Sequence, residues 1–366
     1  MTDPYARHDA ALAVLRPYGP NLANGFINHA PMVVEALAAM GRGETALSWL
    51  RAEEHNLLPR APAQPPVEAA GWREALGKPA RFEAWAAFFA REIETNGWRA
   101  TLDRWARRLS AGYGTAAVHG VIRTAHAARA LAWQDTALRR GELAQGLAVW
   151  AARYAPLAAD LPAPAFGTLP PHAALAAVTP VALHWRVRAG SITAGLANLA
   201  RAPGFARETA GADLSGEPLA TADALVCTFA ELFLDAARNG YTAIVFAHAV
   251  TGAAAARNLL PLVGPGAQRA LIAGAWQTGC ALKAVFYPPA PGAGRPVPAR
   301  RTPDRLAEAA AVHGDDHAIK LAEACLSAYA RTGRRRLLKT IALALTLLDP
   351  REREATDPTR LLETQT

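Results

Sequence analysis

Lysine is nearly absent from this 366-residue chain. Only Lys78, Lys283, Lys320 and Lys339 stand among the 39 basic residues, and the rest are arginine. Arginine stays charged in any protein setting, whereas a desolvated lysine can lose its proton and become a nucleophile, so each lysine kept raises a chemical question. Cysteine is scarce too. Cys227, Cys280 and Cys325 are odd in number, far apart and without a CxxC spacing, which excludes a disulfide framework and a zinc knuckle and fits a reducing cytoplasm. No stretch reads as the roughly 18 apolar residues that a membrane span needs, and TIALALTLL at 340–348 is half of that. The opening MTDPYARHDAALAVL lacks a basic-then-apolar layout, so neither secretion nor a membrane partner is expected. The net charge of +8 invites an anionic partner, but the arginines are scattered among acids, as in WRATLDRWARRLS. Only Arg334 to Arg336 form a run, no nucleic-acid motif accompanies them, and nucleic acid is not an expected partner.

Convincing alternating strands are missing as well. Alanine dominates the aliphatic residues, which favours helix over sheet. The expected fold is therefore all-α: one multi-helix domain over residues 1–349, with a polar tail at 350–366. Twenty-eight glycines and 27 prolines cut the chain into helical pieces. APMVVEALAAM (30–40) has Pro31 in its first turn and stops before Gly41, and ETALSWLRAEEHNLL (44–58) reads as its hairpin partner. Further helices are expected at 115–133, 141–158, 221–240, 244–263 and 266–286. Asp304 and Asp315 are candidate caps for the helices that follow them. PPAPGAGRPVPARRTP (288–303) reads as a surface loop, and 171–223 carries little signal. The nine tryptophans, with Phe88, Phe89 and Phe246, furnish either plain core or a flat apolar pocket.

The histidines stand out against this background. His29 opens a helix, His119 and His126 lie two turns apart in one apolar helix, His248 lies in IVFAHAVTGAAAA, and His317 falls in the first turn after Asp315. Each alone reads most simply as a core or boundary histidine. Together, on four separate helices, they have the layout by which bundles build metal sites from imidazoles, the ligands of Fe, Zn, Ni or Cu rather than Mg or Ca. Which of His119 and His126 belongs to such a set is open on spacing alone.

A carboxylate ligand is lacking: there is no HExxH and no Glu-x-x-His pair. Lys320, three residues after His317, can supply the missing anion. A buried, neutral lysine amine adds carbon dioxide to give a carbamate, an oxygen ligand with a longer reach than glutamate, and arginine cannot do this. The bland alternative is a solvated stripe in which Lys320 shares a helix face with Glu323 and Ser327.

Four stretches, NHAPMVVEALAAMG (28–41), VHGVIRTAHAARAL (118–131), FAHAVTGAAAARNLLP (246–261) and DDHAIKLAEA (315–324), resemble the questin oxidase-like family in order and spacing. Its fungal relatives open the quinone ring of anthraquinones by an oxidation that is Baeyer–Villiger-like in outcome. The resemblance implies a helical fold with a mononuclear non-haem Fe(II). The ligands carried over are His29, His119, His248 and His317, with Lys320 as the carbamate and Thr251 as a hydroxyl near it. His119 is preferred to His126 because the fungal pattern is aromatic at the latter position. The implied partners are dioxygen and a small aromatic substrate. NADPH is associated with questin oxidation, but no GxGxxG follows a strand here, so a separate reductase is the expected electron source. Two other readings stand beside it: a lysine-carbamate metallohydrolase, which normally adds an HxH pair that this chain lacks, and a helical interaction protein without catalysis.

Overall fold

A computed structural model describes residues 3–157, 167–186, 191–199, 205–288 and 301–348. The described residues are mainly helical, and the helices begin where polar side chains can take up the unpaired N–H groups of a first turn. Asp315 accepts the backbone N–H of Ala318 at 2.8 Å and caps Asp316–Thr332. Asn239 accepts the N–H of Thr242 at 2.9 Å, and the Thr242 hydroxyl returns to the Asn239 N–H, a reciprocal pair that opens Gly240–Leu259. Gly314 and Gly333 close Pro303–His313 and Asp316–Thr332 in the left-handed conformation that glycine takes without a Cβ clash.

Several elements differ from their sequence reading. The expected helix 44–58 is shorter, Ala46–Glu53 between two 3₁₀ turns, and Leu57–Pro59 instead pairs antiparallel with Tyr18–Leu22 in a small two-stranded sheet. Asn239 starts a helix rather than ending one. Pro303–His313 is capped by Thr302, which accepts the Arg305 N–H, while Asp304 sits inside the first turn. The expected helix 115–133 begins only at His119. The surface loop reads onto residues of which 289–300 lie outside the described set, and the tail 350–366 lies wholly outside it.

Gly240–Leu259 is the central element. It packs against Pro218–Ala236, Pro265–Phe286, His119–Trp133 and Asp316–Thr332. With its following 3₁₀ turn it is long and apolar enough to cross a membrane, contrary to the expectation from the sequence, yet 83% of its apolar window is buried in the protein. A helix surrounded by other helices needs no polar face, so it reads as apolar all round. Ala30–Ala39 bridges His119–Trp133 and Asp316–Thr332. Close crossings depend on glycine: a Cβ at Gly120 would stand 2.7 Å from Trp150 Cα, and one at Gly146 would stand 3.0 Å from Thr124 Cα. Trp72, Trp85, Phe88, Phe89 and Trp105 pack ring against ring, mostly edge to face, as core rather than as an open aromatic slot.

Candidate metal centre

His29, His119, His248 and His317 meet between the helices. Their ring centroids are 4.5 Å apart for His29–His119, 4.7 Å for His119–His248, 5.2 Å for His248–His317 and 4.9 Å for His317–His29, which closes a four-membered ring. One nitrogen each from His29, His119 and His317 lies within 4.8 Å of the others. Three of the four come from helix starts: His29 precedes Ala30–Ala39, His119 opens its helix and His317 stands in the first turn of Asp316–Thr332. His248 enters from mid-helix. Three helix starts thus contribute rings to the cluster, where a positive helix end disfavours imidazolium and a bound cation alike, so an ion there needs an anion beside it.

Hydrogen bonds fix which nitrogen each ring offers. His119 Nδ1 lies 2.5 Å from Ala116 O and His248 Nδ1 lies 2.7 Å from Ile244 O. A carbonyl can only accept, so both Nδ1 atoms carry the proton and both Nε2 atoms carry a lone pair. Those two Nε2 atoms face each other at 3.2 Å. Two lone pairs at that separation repel unless a cation stands against both. Two nitrogens each about 2.1 Å from one ion lie about 3.0 Å apart at a right angle and about 3.4 Å apart at a tetrahedral angle, so the spacing fits a shared ion.

The other two rings share one carboxylate. His29 Nδ1 donates to Asp316 Oδ2 at 2.6 Å, and His317 Nδ1 lies 2.5 Å from Asp316 Oδ1. Both rings thus present Nδ1 to one carboxylate, the arrangement by which outer carboxylates orient histidine ligands. Burial pushes the His29 pKa down to about 3 despite the raising effect of Asp316. Burial and the neighbouring rings hold His119 and His248 well below the ordinary histidine range. Burial alone would raise the Asp316 carboxyl, but His29 and His317 outweigh it and keep the group ionised. Neutral imidazoles and a fixed anion behind them are what a cation requires.

His119 is aimed by a strained turn. Ala116, Ala117 and Val118 take φ values of 49°, 54° and 71°, three consecutive left-handed residues without a glycine. A β-branched residue in this region is a genuine outlier, and such strain persists only where the surroundings impose it. Here Val118 is pinned against Gly252, where an added Cβ would stand 2.9 Å from Val118 Cγ1. Tyr113 OH donates to Gly252 O at 2.8 Å from the other side of the turn.

Lys320 is buried, 3% exposed, and so is Glu323 at 4%, so the solvated-stripe alternative does not hold. Lys320 and Thr251 line one small cavity of about 10 Å³ together with His126, Asn258 and Glu323. The Thr251 hydroxyl donates to Ala247 O at 2.8 Å, which leaves its lone pairs toward other partners. A larger cavity, about 440 Å³, opens elsewhere, between Leu12, Arg60, Glu83 and Glu142, and none of the four clustered histidines lines it.

The structure separates His126 from the ring of four. Its Nδ1 donates to Glu35 Oε2 at 2.5 Å, and the buried Glu35 also accepts from Tyr5 OH at 2.5 Å and from Arg129 Nε and Nη2 at 2.8 and 2.6 Å. Arg129 reaches on to Glu323. Sequence reasoning passed over Asp316, which hid as the second Asp of DDH beside a capping Asp315, and over Glu35, which hid in the apolar run MVVEAL. The signal for both was a carboxylate where the helix period places a buried face.

Residues 26–203 match the family described as Questin oxidase-like. That segment carries His29 and His119, whereas His248, His317 and Lys320 lie beyond it. No curated protein matches the chain.

Proposed function

We propose that this chain, whose residues 26–203 match the Questin oxidase-like family, is an iron-dependent oxygenase acting on an aromatic polyketide of the anthraquinone type. The family points to an oxidoreductase. The observation that carries the metal reading is the facing pair of Nε2 lone pairs, 3.2 Å apart, on rings whose Nδ1 protons are committed to carbonyls. His29, His119, His248 and His317 would hold Fe(II), with Lys320 as a carbamate giving the one anionic oxygen. Bound there, Fe(II) would supply a site at which dioxygen is activated for attack on an electron-poor ring carbon.

The protein's own residues set the conditions. Asp316 keeps His29 and His317 in the ligating tautomer and places a negative charge behind them, which offsets part of the cation's charge. Ala116 O and Ile244 O do the same for His119 and His248 without charge. The apolar walls from Gly240–Leu259 exclude bulk water, which strengthens every electrostatic contact inside. Thr251, which lines the same small cavity as Lys320, would hold the outer oxygen of the carbamate, and to donate to it the hydroxyl must leave Ala247 O. Electrons, where the reaction needs them, come from a separate reductase or from NADPH bound without the usual glycine-rich fold.

Anaerobic reconstitution with Fe(II), metal analysis, and oxygen-uptake assays against a panel of hydroxyanthraquinones test this reading. One iron per chain and substrate-dependent oxygen uptake are expected. Two zinc ions per chain would instead indicate a hydrolase, and no bound metal would leave a helical scaffold. Lys320→Arg keeps the positive charge and forbids the carbamate. Normal iron binding and turnover in that variant would remove the role given to Lys320.

A further inference from the structure

Away from the histidines, the cavity of about 440 Å³ falls within the size range of small-molecule sites, about 300–1,000 Å³. Its walls come from His8–Leu15, the chain after Leu57–Pro59, Phe82–Asn96 and Ala137–Ala152. Leu12, Leu15, Leu138 and a series of alanines make it mainly apolar, and none of its lining among the described residues is aromatic. Gly141 lines it from inside Ala137–Ala152, where glycine weakens a helix relative to alanine. Neither usual reason for a glycine applies there. Its φ is not positive, and an added Cβ would meet nothing within 4 Å. What a glycine does preserve at this position is open cavity.

The polar groups of the cavity fall into two sets, and the first is paired. Arg60 Nε donates to both oxygens of the buried Glu83 at 3.2 Å. Arg123 holds Glu142 through Nε at 2.6 Å and Nη2 at 2.9 Å. Each carboxylate has its own guanidinium, so the cavity is not built for a cation. The second set is free. Arg16, at the end of His8–Leu15, makes no ion pair or side-chain hydrogen bond among the described residues. Gln145, 9% exposed, accepts from Arg123 Nη2 at 3.2 Å. A guanidinium cannot accept, so the amide oxygen faces it and the NH₂ group is left for other partners. That NH₂ group bonds nothing among the described residues and is not sealed from solvent.

One free cation and one free neutral donor on aliphatic walls call for a ligand with a single negative charge, a neutral acceptor oxygen and a flexible aliphatic body. We propose that this cavity binds a medium-chain oxo carboxylic acid. Its carboxylate pairs with Arg16, its keto oxygen accepts from the Gln145 NH₂ group, and its chain lies along Leu12, Leu15 and Leu138. A dianionic phosphate would lack a second free cation here, and a nucleotide base would find no ring to stack on. The site is separate from the histidine cluster and does not depend on which metal that cluster holds.

Isothermal titration calorimetry on the full-length protein with 9-oxodecanoate, decanoate and methyl 9-oxodecanoate tests the site. One 9-oxodecanoate is expected to bind per chain. Decanoate leaves the Gln145 NH₂ group unpaired and is expected to bind about tenfold more weakly. The methyl ester lacks the charge, and because Arg16 is exposed the expected loss is about two- to fivefold. Arg16→Gln is expected to lose the same factor for the acid and to erase the difference between acid and ester. Gly141→Phe and Ala87→Phe fill the cavity from two different helices, so one serves if the other fails to fold. Each is expected to abolish binding while the helix content seen by circular dichroism stays the same. No binding of 9-oxodecanoate below about 1 mM overturns the proposal. Undiminished binding in a folded Phe variant also overturns it by putting the ligand elsewhere, the histidine cluster included. Equal affinity for the three ligands does so too.

Discussion

Asp316→Asn is the sharpest single test of the centre. Asp316 takes one contact from each of two rings, 2.6 Å from His29 Nδ1 and 2.5 Å from His317 Nδ1. Asparagine has the same shape but a single acceptor oxygen, and its NH₂ group must face one of those Nδ1 atoms. Two donors cannot share a hydrogen bond, so that ring moves its proton to Nε2 and turns an N–H toward the centre. One of four imidazoles is then lost as a ligand. A hydrogen bond to a charged group is worth about 1.5–3 kcal/mol, and loss of such an orienting partner lowers metal affinity about 10–100-fold, which is about 1.4–2.7 kcal/mol. The two scales agree. Competition with a chromophoric chelator for Co(II), under anaerobic conditions, measures the affinity. The expected result is a 10–100-fold weaker site in a variant whose metal-free melting temperature is little changed. An affinity within about threefold of wild type would refute the tautomer argument, and a matching collapse of the metal-free fold would show that Asp316 is structural first.

The metal-free protein should be acid-labile. His8, His29, His119 and His248 have folded pKa values depressed by burial, to about 4 for His8 and about 3 for His29. The unfolded chain binds their protons below about pH 6.5, so stability is complete above that value and falls as pH drops toward the folded values. At pH 5 His8 and His29 each contribute a loss of about 2 kcal/mol, and His119 and His248 act in the same direction. Urea titrations at pH 7.5 and pH 5 check this, and equal midpoints would contradict it. Ala116→Gly removes a left-handed Cβ clash of about 1–2 kcal/mol but adds chain entropy in the unfolded state, so a net gain of about 0.5–1 kcal/mol is expected by chemical denaturation. A net loss would mean that the turn is not strained. Arg129→Met leaves Glu35 and Glu323 without their shared cation and should cost about 3–5 kcal/mol, read by the same method. A cost below about 1 kcal/mol would mean that water already serves these carboxylates.

Helices were the legible part because their signals are local. Pro31 in a first turn, Asp315 ahead of a periodic run and the apolar period of Gly240–Leu259 all act within a few residues. Errors arose where local signals compete. Asn239–Gly240 suits a helix end as well as a start, and the deciding bond, Thr242 back to Asn239, is visible only in space. Residues 115–118 read as helix because alanine and valine carry no mark of a left-handed turn. That turn exists because Gly252, far along the chain, packs against Val118 and accepts a hydrogen bond from the nearby Tyr113.

By itself the sequence determined that the chain would be helical, which histidines lie in apolar surroundings, and that a lysine rather than an arginine stands a turn after His317. These follow from period, composition and the chemistry of single side chains. Tertiary structure alone decided that His119 joins the ring while His126 turns to Glu35, that Asp316 serves two rings at once, and that Lys320 is buried rather than solvated. Those outcomes depend on which helix faces meet. That choice is made by the packing energy of the whole core, and no window of neighbouring residues contains it.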